Sequence, residues 1–296
     1  MKTSTFLASY GEYITNRDFD IAGALKREGF DAGEPDHYSF VRREEDPVEG
    51  AKKLRESLDK AGIVSSCYSR GMTMIDTPRE ESIARLKASI DVCDILGSKI
   101  FHHTLQNTFH NPRIPLWQKH VDLFAELCRE AAYYAGEKGI TCVYEDQGFL
   151  VNTPDRLGEI LVKVDMKNTG ICLDTGNSLF HEIDPIEFVQ VLAPYIKHVH
   201  VKDYIKKPFD KVPSNSPSWY RTSANNLLRP TIVGHGIIDF ESIFATLILA
   251  GYDGYFSLES GGIEYNNIKG VSESLENMKW LYNKAKDGLI ARGWIK

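Results

Sequence analysis

The stretch from Thr141 to Lys202 reads TCVYEDQGFLVNTPDRLGEILVKVDMKNTGICLDTGNSLFHEIDPIEFVQVLAPYIKHVHVK. Three short apolar runs stand out in it, Thr141–Glu145, Gly170–Asp174 and His198–Lys202, each the length of a strand. Between the first two, Thr153-Pro154 opens a segment that sets Leu157, Ile160, Leu161 and Val164 on one helical face. Strands separated by helices pair in parallel, because the chain must cross back before the next strand begins.

The same rhythm extends in both directions. Further strand candidates are Thr5–Ala8, Gly29–Gly33, Ile63–Tyr68, Lys99–Thr104 and Tyr255–Glu259, which makes eight. Thr77-Pro78-Arg79-Glu80 reads as a capping box with proline in the first turn, followed by an apolar face that stops at Gly97. Leu123–Ala132 and Phe240–Ile248 supply two more amphipathic helices. Eight strand–helix units in 296 residues predict a single (β/α)8 TIM barrel, one domain spanning 1–296. One connection breaks the rhythm. Between the seventh and eighth strands, Asp203–Gly254 holds one helix and a long loop rich in Ser, Asn, Pro and Lys, read as a functional lid or a disordered segment.

Composition narrows the function. Hydrophobic residues are 42% and charged residues 26%, values of an ordinary globular chain. The net charge of −6 argues against a nucleic-acid binder. No apolar run reaches the length of a membrane span, and the N-terminus turns polar too soon for a secretory signal. Five cysteines without a C-x-x-C spacing read as reduced core residues. The expectation is a cytoplasmic enzyme or binding domain.

The chemistry lies at the strand ends. In VYE, CLD, VHVK and SLE, side chains alternate between two faces. Tyr144, Leu173, Val201 and Leu258 belong to the face toward the helices. Glu145, Asp174, His200 and Glu259 then project into the barrel, with His198 and Lys202. A lone acid at a strand end is commonly a helix cap, and a lone histidine a hydrogen-bonded core residue. Four such groups on successive strands, at the end where barrel active sites form, are a metal site. Three gathered carboxylates repel unless a cation sits among them. The set suits Mn²⁺ first, Mg²⁺ or Co²⁺ next, and Zn²⁺ less well. Lys202 is either an oxyanion partner or a salt bridge to a barrel carboxylate, and Asp203 is placed to orient His200. His198 is assigned a structural hydrogen bond.

The phrases VYED, GICLDTGN, KHVHVKD, VGHGIIDF and YFSLES, after the TPREESIARLKASIDVCDILGS helix, resemble the xylose isomerase-like TIM-barrel family of sugar and sugar-phosphate isomerases and epimerases. The likeness spans nearly the whole chain. It implies that Glu145, Asp174, His200 and Glu259 hold one divalent ion, as in the ketose 3-epimerases. It also implies that Glu145 and Glu259 exchange protons with the substrate carbon. The activity implied is isomerisation or epimerisation of a sugar, keto-sugar or sugar phosphate through a metal-stabilised enediolate. The alternative is a dehydratase acting on a keto-polyol such as an inosose or a dehydroshikimate-like substrate. A nuclease like endonuclease IV is disfavoured, because that reaction needs further histidines and this chain has Asn177 at one such position.

Asn177 also stands where family epimerases often carry a substrate-contacting histidine; an amide can hydrogen-bond a hydroxyl but cannot carry a proton near neutrality. His235, between Gly234 and Gly236, is either a pocket residue or an exposed turn. Glu34, one of His102 and His103, and Trp219 complete the substrate-binding candidates, Trp219 as part of a lid. Lys206, Lys207, Lys211, Arg221 and Arg229 read as a solvated basic loop or as an anion clamp. The partners expected are a small carbohydrate and, by analogy of fold, a second or fourth copy of the chain, with neither nucleic acid nor membrane.

Overall fold

The computed structural model describes residues 1–106, 116–211, 218–260 and 268–296. Twelve strands are present among them. They are β1 Lys2–Thr5, β2 Ala32–Gly33, β3 Val64–Ser65, β4 Tyr68–Arg70, β5 Ile100–His103, β6 Thr141–Glu145, β7 Thr169–Asp174, β8 Ile196–Val201, β9 Asp203–Pro208, β10 Tyr220–Arg221, β11 Asn226–Thr231 and β12 Tyr255–Leu258. Parallel pairing runs in the order β1-β12-β8-β7-β6-β5-β4, and β2 pairs with β3. Backbone bonds close the ring. Glu34 N donates to Thr5 O at 2.8 Å and Leu7 N to Glu34 O at 3.0 Å, while Ser66 N reaches Gly33 O at 3.0 Å. The architecture is the TIM barrel expected.

Local chemistry starts and stops the surrounding helices. Asp20, Asp46, Asp184 and Asp239 each accept a backbone N–H of the first turn, and Pro47 and Pro185 fill first-turn positions that need no donor. Gly29 and Gly62 end two helices at φ of 81° and 73°, a region where a side chain would clash. The expected capping box at Thr77 does not form. Pro78 occupies the cap position of helix Arg79–Ile95, and Thr77 Oγ1, one residue too early, donates to Thr73 O instead.

Tyr144, Leu173, Val201 and Leu258 are buried between strands and helices, in one continuous core. Each buried side chain of this size stabilises the fold by roughly 1.5–3 kcal/mol. Two expectations shift. The first strand is Lys2–Thr5, because its ladder follows Tyr255–Leu258, and Leu7–Ser9 turns into a 3-10 segment. The long connection is not a loop throughout. β9, β11 and β10 form an antiparallel sheet of their own, and residues 212–217 of the connection lie outside those described. Among the described residues, no helix is long and apolar enough to cross a membrane.

Candidate metal centre

Ladder register brings the three acids and the imidazole to one height. Asp174 pairs directly with His200 across β7 and β8, and Glu259 N extends the β12 ladder by donating to Val201 O at 3.0 Å. One ligand atom from each of Glu145, Asp174, His200 and Glu259 lies within 4.8 Å of every other. His200 Nδ1 stands 3.0 Å from Glu145 Oε1 and 3.6 Å from Glu259 Oε2. Glu145, Asp174 and His200 are buried, whereas the Glu259 side chain is 26% exposed. Glu259 is the member that solvent reaches.

The floor beneath them is a hydrogen-bonded network centred on Glu34. This fully buried carboxylate sits 2.7 Å from His198 Nε2, 3.0 Å from His200 Nε2 and 2.5 Å from the Ser69 hydroxyl, which donates to it. Ser69 Oγ in turn lies 2.9 Å from His102 Nδ1. Burial opposes ionisation of Glu34, but the His198 and His200 imidazoles hold its pKa well below the usual carboxylate range. With its Nε2 committed to Glu34, His200 presents Nδ1 to Glu145 and Glu259. A ligand imidazole is fixed in this way, by the partner of its other nitrogen.

Charge balance is supplied by Lys202, whose Nζ lies 2.9 Å from Asp174 Oδ2 and 2.9 Å from Glu259 Oε1. Burial pushes Glu259 toward its neutral form; Lys202 resists this and the nearby Asp174 reinforces it. For Glu145, the His102 and His200 imidazoles outweigh burial and keep it ionised. Two buried atoms, Glu145 Oε2 and His102 Nε2, stand 3.3 Å apart, and neither has a well-aligned hydrogen-bond partner. Such orphaned atoms beside a converging oxygen and nitrogen donor set fit a divalent cation.

The other candidates are placed as follows. His102 faces the mouth of the barrel and lines a cavity of ≈150 Å³ with Glu145, Glu259, Asp36 and Gln147. His103 faces the other way, in the layer of Tyr144, with ring centroids 5.1 Å apart. Asn177 is fully buried, and its amide atoms lack hydrogen-bond partners. Its backbone N–H and that of Gly176 donate to Asp174 Oδ1, which fixes that carboxylate.

Three expectations are corrected, those for Glu34, Asp203 and Trp219, and the alternatives left open for Lys202 and His235 are decided. Glu34 belongs to the floor rather than the substrate wall, since alternation carries it inward below Ser69. Lys202 is the salt bridge to barrel carboxylates. Asp203 does not touch His200; its carboxylate accepts N–H groups from Gly234, Gly236 and Tyr204, so it holds the turn after β11. His235, in that turn, is an exposed residue (49%) beside Glu273 at 3.3 Å. Trp219 packs between Lys207 and Arg229, with ring-to-cation distances of 5.7 and 5.4 Å, and does not line the cavity. The basic loop is thereby largely spoken for, with Lys206 paired to Glu182 and Arg221 over Phe209.

Sequence reasoning missed Ser69 and Asp146. Ser69 bridges His102 and Glu34, and nothing in its local pattern marks it. Asp146 follows Glu145 in the VYED phrase and accepts Asp174 N–H at 3.0 Å. Burial, with Asp174 and Glu145 beside it, pushes its carboxyl well up, toward the neutral acid.

A family model described as xylose isomerase-like TIM barrel matches residues 22–284. Inosose dehydratase of Geobacillus thermodenitrificans is 27% identical over 221 residues, covering 71% of this chain and 73% of that protein. Among solved structures, an L-ribulose 3-epimerase superposes with a TM-score of 0.76 at 16% identity, over 98% of each chain. The IOLI protein with a bound zinc atom gives 0.76 at 17% identity, over 96% of this chain and 99% of that one.

Proposed function

The chain belongs to the xylose isomerase-like TIM-barrel family, and on that premise we propose that it is a divalent-metal-dependent dehydratase of an uncharged keto-polyol, an inosose or a close analogue. The observation that carries this is the convergence of Glu145, Asp174, His200 and Glu259 within 4.8 Å, in a chain whose similar relatives include inosose dehydratase. Those four residues would hold the ion, with His200 ligating through Nδ1. Mn²⁺ suits three carboxylates and one imidazole best. When bound, the ion draws electron density from the ketone and steadies the negative charge that builds up as a neighbouring carbon loses its proton.

The chain's own groups do the rest. Glu259 takes the proton, the electron pair of the broken C–H bond forms the C=C bond, and the β-hydroxyl departs. His102, on the cavity wall, gives that hydroxyl the proton with which it leaves as water. Asn177 offers a substrate hydroxyl both a donor and an acceptor. The substrate is read as uncharged because, among the described residues, the charged wall groups Asp36, Glu145 and Glu259 are all acids. The one neighbouring ammonium, Lys202, is held by Asp174 and Glu259. A phosphate or carboxylate there would meet repulsion.

A second reading, epimerisation, is favoured by one observation: Glu145 and Glu259 line the same cavity, so a proton removed by one can be returned by the other on the opposite face. Incubation of the Mn²⁺-loaded protein with an inosose and, separately, with a ketohexose, followed by NMR, distinguishes the two. Loss of water from the inosose supports the dehydratase. Inversion at C3 of the ketose without water loss replaces it with the epimerase.

A further inference from the structure

At the end of the barrel opposite the metal centre, the strands begin around an open cavity of ≈480 Å³. Four lysines line it: Lys2 in β1, Lys99 just before β5, Lys167 just before β7, and Lys197 in β8. Asp253 is the one carboxylate in the wall, which leaves a local excess of positive charge on a chain of net charge −6. None of the four lysines forms an ion pair among the described residues. Elsewhere Lys52, Lys138, Lys163, Lys206 and Lys284 each pair with an acid.

Strands β1 and β8 carry Lys2 and Lys197, and the segments leading into β5 and β7 carry Lys99 and Lys167. Lys2 is in register with Tyr255, and the stem of Lys197 lies over Gly170, where a Cβ would come within 2.4 Å of Lys197 Cγ. Thr141 and Tyr255 share the wall. A strand of about five residues at roughly 3.3 Å each puts the bowl some 15 Å from the metal centre. Four like charges around one cavity repel one another, and that repulsion is relieved when an anion sits between them.

We propose that this bowl binds a compact polyanion carrying two or three phosphate groups, at a site separate from the active centre. Ammonium groups bind phosphate as point charges, and several converging on one cavity favour a ligand with several phosphates. The volume is that of a small-molecule site, of order 300–1,000 Å³. A nucleic acid instead needs a basic stripe along a surface, which the overall acidity of this chain opposes.

The test titrates inorganic triphosphate into the full-length, metal-loaded protein by calorimetry. We expect one saturable site at about 50 mM salt, weakened at least tenfold at about 300 mM because the lysines are exposed to screening. Lys99→Glu combined with Lys197→Glu abolishes it, and Lys167→Glu alone, outside any strand, weakens it about threefold. Lys53→Glu, on a different face, leaves it unchanged, and turnover is unaffected in every variant. The proposal is overturned by the absence of saturable binding at low salt. It is equally overturned by wild-type affinity in the Lys99/Lys197 and Lys167 variants, or by equal loss in Lys53→Glu.

Discussion

The carboxylate of Glu34 lies 3.0 Å from Nε2 of His200, and this contact decides which nitrogen of the ring faces the metal centre. The two residues are 166 positions apart, Glu34 just after β2 and His200 in β8. Glu34→Gln keeps the shape but replaces an ionic acceptor by an amide that can turn its N–H₂ toward the ring. Metal affinity is expected to fall about 10–100-fold, the usual effect of removing the support of a ligand histidine. Unchanged affinity in a chelator-competition titration would remove Glu34 from this role.

The same carboxylate predicts a pH dependence. Its folded-state pKa is depressed by His198 and His200, so its stabilising contribution is present above the unfolded value of about 4.3. That contribution is lost as pH falls below this value and through the lower folded one. The melting temperature of the wild type should therefore drop more steeply below about pH 4.3 than that of Glu34→Gln. Parallel curves would count against a buried, ionised Glu34.

Lys202 balances Asp174 and Glu259 in the absence of an ion. Lys202→Met leaves the buried Asp174 and the partly exposed Glu259 facing each other without their cation, a loss of up to about 3 kcal/mol. A bound divalent ion would offset most of it. Calorimetric melting of the chelated and Mn²⁺-loaded variant should show a wider gap between the two states than the wild type does. An equal gap would mean that Lys202 and the ion do not share these carboxylates.

Glu259→Gln removes the proposed base while retaining its size. Exchange of the substrate proton with deuterated solvent is expected to slow by about 10²–10⁴-fold. Exchange at the wild-type rate assigns the proton transfer to another group.

His235→Ala is expected to change stability by no more than about 0.5 kcal/mol and to leave turnover intact, as for an exposed turn residue. Asp203→Ala, by contrast, strips acceptors from the N–H groups of Gly234, Gly236 and Tyr204, at a cost of about 2 kcal/mol. Equal effects in thermal melts would show that the turn does not depend on Asp203.

Period-two alternation by itself puts Glu145, Asp174, His200 and Glu259 on the inner face, because strand geometry is local and repeats in every strand. The chain alone therefore determined the barrel and the polar face of β6, β7, β8 and β12. It could not reveal that Glu34 belongs under His200 rather than in the substrate wall. Nor could it show that Ser69 links His102 to that floor, that His102 rather than His103 turns inward, or that Asp203 serves the Gly234 turn. These depend on the stagger between non-adjacent strands and on competition among buried donors for acceptors. Both are settled only when the ring closes and water is excluded, so that each buried polar group takes the nearest partner left to it.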